Sequence, residues 1–555
     1  GSVLLYLRPR RFGKSLWLST LENYYDVNKA DDFERLFGHL AIGQNPTPLH
    51  NKYLIMRWNF SAVDPGGDYD DIRRSLYDHL NACIISFARR YRNLLPEEIG
   101  ISYDNALFSL ASAMSAVQGS PYRLYLLIDE YDNFANEVMT ASTERYEALV
   151  RGEGVLKTVF KAVKDGAGGL GIERIFITGV SPIVMSDVTS AFNIAENIYL
   201  KRPFSTLCGF TKEEVAEVLH RVVVTCGYSQ AEEEEALQMM RTFYNGYCFY
   251  PKSPLVYNPT LALYFLKWFQ EECEYPRQML DSNLAMDRKR LSYAAALPHG
   301  GQLILDALSE SEPVMVNELS DRFGVQDMLE VGEDTSRIAS LLYYLGVLTL
   351  EGEAPTGELV LRIPNLVVRG LYAEQIRHLL LPQRGIHEVG QQAARTLYVE
   401  GDIAPLCEFI EERIFPVMSN RDYRWANELT VKTAFLSLLF NDILYVMDSE
   451  PELGRGYADL TMIIRPDMRR FEILDVLIEF KYLSLDALGL TGDEVRNMSR
   501  DELRSLPAVD EKLAEARAQL TKYRSLLEAK YGDALRLHTY AVVSLGFERL
   551  VWEEV

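Results

Sequence analysis

FEILDVLIEFKYL, residues 471–483, read together with GRGYADLTMII, residues 454–464, decides the fold of the C-terminal part of this chain. In the first stretch Leu474, Val476, Ile478 and Phe480 alternate onto one face of a strand, while Glu479 and Lys481 fall on the other at the strand end. The second stretch brings Asp459 to the entry of a preceding strand, across a polar turn. An acid entering one strand and Glu-x-Lys ending the next offer two carboxylates to a hard divalent cation, magnesium or manganese. The ammonium then orients a water for attack on phosphorus. Glu-x-Lys is a short pattern, and a plain hairpin with a solvated charged end carries it equally well.

Flanking residues extend the pattern. Glu428 lies in WANELTVKTAFLSLLF (425–440), an amphipathic helical stretch ahead of the first strand, where a third carboxylate is expected to face the metal. Gln519 and Tyr523 lie in AEARAQLTKYRSLLEAKY (514–531), and their spacing puts both on one helix face. Helix, strand, strand, helix carrying Glu428, Asp459, Glu479-x-Lys481 and Gln519-x-x-x-Tyr523 resembles the PD-(D/E)XK nuclease superfamily over residues 390–555. More closely, it resembles the nuclease domain found behind AAA-ATPase-like modules. The resemblance implies that Asp459 and Glu479 hold the metal, Glu428 assists, Lys481 positions water and stabilises developing charge, and Gln519 orients the site. A polar insertion from Ser484 to Val509 departs from the simplest form and reads as a lid, a substrate loop or decoration.

At the other end, VLLYLRPRRFGKSLWLSTLENYY (3–25) reads as an apolar strand, a turn and an amphipathic helix. The turn ends Gly13-Lys14-Ser15, as in a loop that wraps phosphates with its backbone, meets the outer ones with lysine and ligates magnesium with a hydroxyl. Arg8 stands where the first glycine of such a loop is usual and restricts the backbone there. PYRLYLLIDEYDNF (121–134) supplies a matching apolar strand ending in Asp129, for magnesium, and Glu130, for polarising the attacking water. Each half alone is also an ordinary buried strand and loop; together they point to a bound nucleotide. A third buried strand, GIERIFITGVSPI (171–183), ends in Thr178 and Ser181, placed as sensor groups or as caps of the next turn.

In this order RPRRFGKS, LLIDEYDNF, FITGVSP, FNIAENI, LCGFTKEEV and YNGYCF are similar to the AAA-ATPase-like family over residues 3–260. Related ATPase–nuclease pairings include Crinkler-type effectors. The resemblance implies ATP binding through Arg11, Gly13, Lys14, Ser15, Asp129 and Thr178, with slow hydrolysis at Glu130; Ser15 and Asp129 hold its magnesium. Arg174 and Arg202 are arginine-finger candidates by position only.

With 555 residues, 48% hydrophobic and 11% aromatic, several packed domains are expected. The expected architecture is multidomain α/β: a P-loop, AAA-like ATPase core over 1–205, a helical lid over 206–295, a winged-helix-like connector over 296–388 and a restriction-endonuclease-like domain over 389–555. The acid-rich connector reads as a module coupling the two ends more than as a DNA reader. No apolar run reaches the length of a membrane span. Six cysteines without CxxC or Cys/His spacing read as free thiols with no zinc, in an intracellular chain, cytoplasmic or nuclear. Gly1-Ser2 directly before a core strand reads as an expression remnant or a truncated start.

The formal charge of −22 opposes long-range attraction of phosphate. Basic residues nevertheless gather locally: Arg8, Arg10 and Arg11; Arg89, Arg90 and Arg92; Arg469 and Arg470. Nucleic acid, DNA ahead of RNA, is the expected partner besides ATP, and homo-oligomers are left open. Two functions stand: a magnesium-dependent nuclease switched by ATP, or a nucleotide-regulated interaction or effector protein whose nuclease fold is catalytically inactive.

Overall fold

Apolar strands covered on both faces build the N-terminal sheet, and such strands pair parallel because crossover helices lie on either side. The computed structural model describes residues 2–152, 154–188, 192–279, 288–308, 313–329, 335–381, 384–420, 427–447 and 459–555. Residues 425–426 and 454–458 of the stretches quoted above lie outside these. Among the described residues the sheet holds β1 (Val3–Leu7), β2 (Tyr53–Asn59), β3 (Arg123–Asp129), β4 (Ile172–Gly179) and β5 (Glu196–Asn197), ordered β2-β3-β4-β1-β5. With β4 between β1 and β3, the strand ends carrying Asp129 and Thr178 open beside the loop that follows β1.

The helices Lys212–Cys226, Gln230–Tyr244 and Pro259–Glu272 share a separate buried cluster that includes Leu219, Met240, Phe243, Phe265 and Phe269. Capping boxes at Thr211/Glu214 and Ser229/Glu232 start the first two. A disulfide joins Cys226 to Cys273, with Cα atoms 5.6 Å apart. It corrects the expectation of free thiols throughout: the partners are 47 residues apart, beyond any spacing motif, and meet only because the helix ends do. Cys83, Cys208, Cys248 and Cys407 are free. The inference from cysteines to a reducing compartment falls with that pair. No helix among the described residues is long and apolar enough to cross a membrane.

A small antiparallel sheet follows, β6 (Val314–Val316), β7 (Thr349–Glu353) and β8 (Leu359–Arg362), ordered β6-β8-β7 beside the helices Gly300–Leu308 and Ser336–Tyr344. The C-terminal sheet holds β9 (Tyr445–Val446), β10 (Leu460–Ile464), β11 (Asp475–Leu483), β12 (Leu537–Leu545) and β13 (Arg549–Glu554), ordered β13-β12-β11-β10-β9. Only β11 and β12 pair parallel. The long helix Pro507–Tyr531 buries Leu513, Leu520, Tyr523 and Leu527 against one face of this sheet. Glu428–Leu439 covers the other, where the Phe435 and Phe480 rings lie 4.8 Å apart.

The Ser484–Val509 insertion is helical and packed against the rest of its sheet domain. It folds as short helices capped at Thr491 and Ser499, buries Val495 and Leu503, and seats Arg500 over the Trp552 ring at 3.8 Å. One buried cluster runs from Val3 through the small sheet to Leu550, so both ends of the chain share a core.

Candidate active site

The hairpin register builds the C-terminal site. Leu460 pairs with Ile478, which sets Asp459 beside Phe480, whose amide donates to Asp459 Oδ2 at 2.8 Å. Glu479 is 2% exposed; its Oε1 accepts from Lys481 Nζ at 3.0 Å, and its Oε2 is buried without a hydrogen-bond partner. Gln519 Oε1 is buried and unsatisfied as well. It lies one turn before Tyr523, which feels the charges of Glu479 and Asp459. Each such buried acceptor costs about 1–3 kcal/mol. Unsatisfied acceptors beside two carboxylates fit a hard, oxygen-seeking cation.

Burial, and then the charge of Asp459, push the Glu479 carboxyl up to about 7 against the pull of Lys481. Burial also raises Glu428, which Lys481 opposes. Burial works to lower Lys481, but Glu479 and Glu428 outweigh it and raise its pKa. Glu428 Oε1 lies 3.8 Å from Lys481 Nζ. Among the described residues no three His, Cys, Asp or Glu side chains converge on a metal position. Glu428, the expected third carboxylate, stands beside Lys481 and within reach of the charge of Asp459. Sequence reasoning missed Lys432, one helical turn after Glu428, whose Nζ stands 3.7 Å from Asp459 Oδ1. Its spacing of four from Glu428 was the available signal.

At the other site the loop after β1 turns through positive φ at Arg11 (66°) and Gly13 (83°), and Gly13 caps the helix Lys14–Tyr25. Lys14 is buried, and its Nζ donates to the loop carbonyls of Arg8 and Pro9 at 3.0 and 2.9 Å. Burial lowers its pKa against the charges of Glu130, Asp132 and Asp129. Ser15 is exposed at the helix start. Asp129 is fully buried; its Oδ1 accepts from Thr178 Oγ1 at 2.8 Å, and its Oδ2 lies 3.2 Å from Arg57. Arg57 was not foreseen: it lies two residues before the end of an unremarkable strand, and only the β2–β3 register brings it here. Glu130 follows at φ 50°, a left-handed conformation costing a non-glycine residue about 1 kcal/mol, and burial raises its carboxyl pKa against Lys14.

Several expected groups are engaged elsewhere. Arg8 is 2% exposed and faces away from the loop. Its guanidinium donates to the carbonyls of Leu7, Tyr199 and Phe204 and lies 4.0 Å over the Phe249 ring. Arg8 is thus a clamp between strand and lid, unavailable to phosphate. Ser181 serves Asp132, which accepts from its amide at 2.9 Å. Arg90 pairs with Glu22 and Asp26. Arg174 sits at the far end of β4, about 13 Å from Thr178 at 3.3 Å per residue, bonded to the Tyr53 hydroxyl, and so cannot serve the nucleotide of its own chain.

Comparison with known proteins matches the two ends of the chain to two family models. Residues 1–189 match the family model described as predicted AAA-ATPase, and residues 426–554 match the PD-(D/E)XK nuclease superfamily. An uncharacterised protein from the vnfD 5′ region of Azotobacter chroococcum mcd 1 is 25% identical over 410 residues, 70% of this chain and 66% of that protein. Among solved structures, the Walker-type ATPase PABY2304 of Pyrococcus abyssi is similar at 13% identity and a TM-score of 0.34, over 66% of this chain and 90% of that one. The Aeropyrum pernix ORC1 protein in complex with DNA is similar at 11% identity and 0.21, over 67% and 86%. One chain thus joins a region that matches a predicted AAA-ATPase, residues 1–189, to a region that matches the PD-(D/E)XK nuclease superfamily, residues 426–554.

Proposed function

We propose that the protein hydrolyses phosphodiester bonds of nucleic acid, DNA ahead of RNA, at Asp459, Glu479 and Lys481, and that ATP bound at the N-terminal site switches it. The observation that carries this reading is the unsatisfied, buried Glu479 Oε2 beside Lys481. Asp459 and Glu479 are the residues to hold magnesium or manganese, which supplies Lewis acidity and a low-pKa water. Lys481 positions that water and stabilises charge on phosphorus oxygens, Glu428 keeps Lys481 aimed, and Gln519 orients the site.

At the other end Gly13 and Lys14 bind phosphates, with Arg11 beside them. Ser15 and Asp129 hold the nucleotide's magnesium, Thr178 orients Asp129, and Glu130 polarises water. Three contacts support a switch. Thr260 of the lid donates to the Arg11 carbonyl at 2.9 Å, Phe12 packs edge-on to Tyr247 and Phe249, and Pro9 lies under Gly346 of the connector. A phosphate that takes Lys14 from its loop carbonyls therefore moves residues tied to both lid and connector.

The test is cleavage of plasmid, single-stranded DNA and RNA by wild type and Lys481→Ala, with magnesium or manganese, with and without ATP. Loss of about 10²-fold or more in the variant is expected; undiminished cleavage sinks the site assignment. Lys432 and Lys481 already balance Asp459 and Glu479, which favours one second reading, a catalytically silent scaffold. Calorimetric titration separates the two, because a scaffold binds no magnesium at this site.

A further inference from the structure

A cleft of about 1600 Å³ separates the lid from the nuclease sheet. Its walls differ in charge. Arg395, Arg469, Arg470 and Lys530 line the nuclease side with Asp467, Arg377 of the connector stands beside them, and Glu232, Glu235, Glu272 and Glu274 line the lid side with Arg277. Among the described residues no ion pair within 4 Å holds Arg395, Arg470 or Lys530, although Arg470 lies 5.2 Å over the Phe471 ring and Lys530 5.2 Å over the Tyr531 ring, in a chain of net charge −22. Trp268 on the lid wall and Phe471 on the nuclease wall are 40% and 46% exposed.

The cleft also reaches the catalytic strand. Thr461 lines it and follows Asp459 by two residues on the same strand face, about 7 Å along the backbone. At its root Arg465 is fully buried and joins the walls. The guanidinium donates to the carbonyls of Pro276 at 2.8 Å, Arg277 at 3.1 Å and Asp442 at 2.9 Å.

Resting on the nuclease reading above, we propose that this cleft is the entry groove for a single-stranded nucleic acid. Phosphates lie on Arg395, Arg470 and Lys530, bases stack on Trp268 and Phe471, and the lid glutamates screen the basic wall until the lid swings about Arg465. Cations that track a backbone, interleaved with aromatic faces, suit a strand whose bases are unpaired. A duplex hides those faces. The acidic wall opposes phosphate at short range as the net charge of −22 does at long range, so the groove takes a strand only once the lid has moved.

The test is fluorescence anisotropy of a labelled oligonucleotide, single-stranded or as a duplex, against full-length Lys481→Ala protein in EDTA, so that no cleavage intervenes. Adding Arg395→Glu, Arg470→Glu and Lys530→Glu is expected to weaken single-strand binding by about 10-fold or more and to flatten the salt slope by about 2, near 0.7 per lost phosphate contact. Glu235→Gln with Glu272→Gln and Glu274→Gln is expected to tighten binding, and Trp268→Ala to weaken it by about 10-fold. Unchanged binding in the basic-wall variant, or equal affinity for duplex, overturns the proposal; unchanged binding in the lid variant overturns the screen. ATP binding reports whether each variant is folded, and if the triple variant loses it, Arg395→Ala alone decides. The two readings fail separately: single strands bound in the cleft but never cut sink the nuclease, and cutting that ignores the cleft variants sinks the groove.

Discussion

Glu479 holds its proton to about 7 because it is buried next to Asp459. Its ordinary value is 4.5, so between about 4.5 and about 7 the folded, metal-free protein carries a proton that the unfolded chain has released. Stability from this residue is therefore fully present at the acid end of that window and is lost as pH rises through it. Glu479→Gln is expected to remove the slope and to stabilise the metal-free protein at pH 8 by about 1–3 kcal/mol, while abolishing metal binding. Denaturant unfolding in EDTA at pH 5 and pH 8 reads this directly, and a slope that persists in the variant refutes it. At the other site, Arg57→Met leaves the buried Asp129 without its cation, which lies 3.2 Å away and is 31% exposed in its side chain. A cost of about 1–3 kcal/mol follows for the nucleotide-free protein, lower than for a fully buried pair. Magnesium–ATP is expected to raise the melting temperature of this variant more than that of wild type, since the metal substitutes for the missing charge. Arg57 was not legible in the sequence, because it acquires its meaning from a neighbour across a strand register, and Lys432 was signalled only by its spacing of four from Glu428.

Elements whose signals are local were the legible ones. The β10–β11 hairpin follows from alternation over a few residues, the β1 and β3 strands from apolar runs, and the lid helices from capping boxes. What stayed hidden depended on elements meeting: the turning of Arg8 into the core, the facing of Glu428 toward Lys481, and the lid disulfide. That disulfide closes a separation of 47 residues, for which chain entropy alone gives a stabilisation of about 4 kcal/mol. Cys226→Ser with Cys273→Ser is expected to lower lid stability by up to that amount. Amide hydrogen exchange over residues 212–272 checks it, and unchanged protection in the reduced protein contradicts the pairing.

Across the whole molecule, the boundaries of family similarity and of the folded core differ. The nuclease match begins at residue 426. Yet Tyr398 donates to the Leu439 carbonyl at 2.9 Å, the Leu474 amide donates to the Tyr398 carbonyl at 2.9 Å, and Glu411 accepts from the Leu550 amide at 2.6 Å. A fragment starting at 426 strips these partners from the sheet and bares the apolar face of Glu428–Leu439. It is expected to aggregate or to lack a cooperative transition, whereas a fragment starting at 384 retains one; circular dichroism melts of the two decide. The buried cluster that runs from Val3 to Leu550 bears on ancestry as well. A crossover between genes that carries off one end without the middle of the chain leaves both products with exposed core. Selection then sees the two ends as one heritable trait, and residues lining that shared core should drift in concert, whichever end of the gene encodes them.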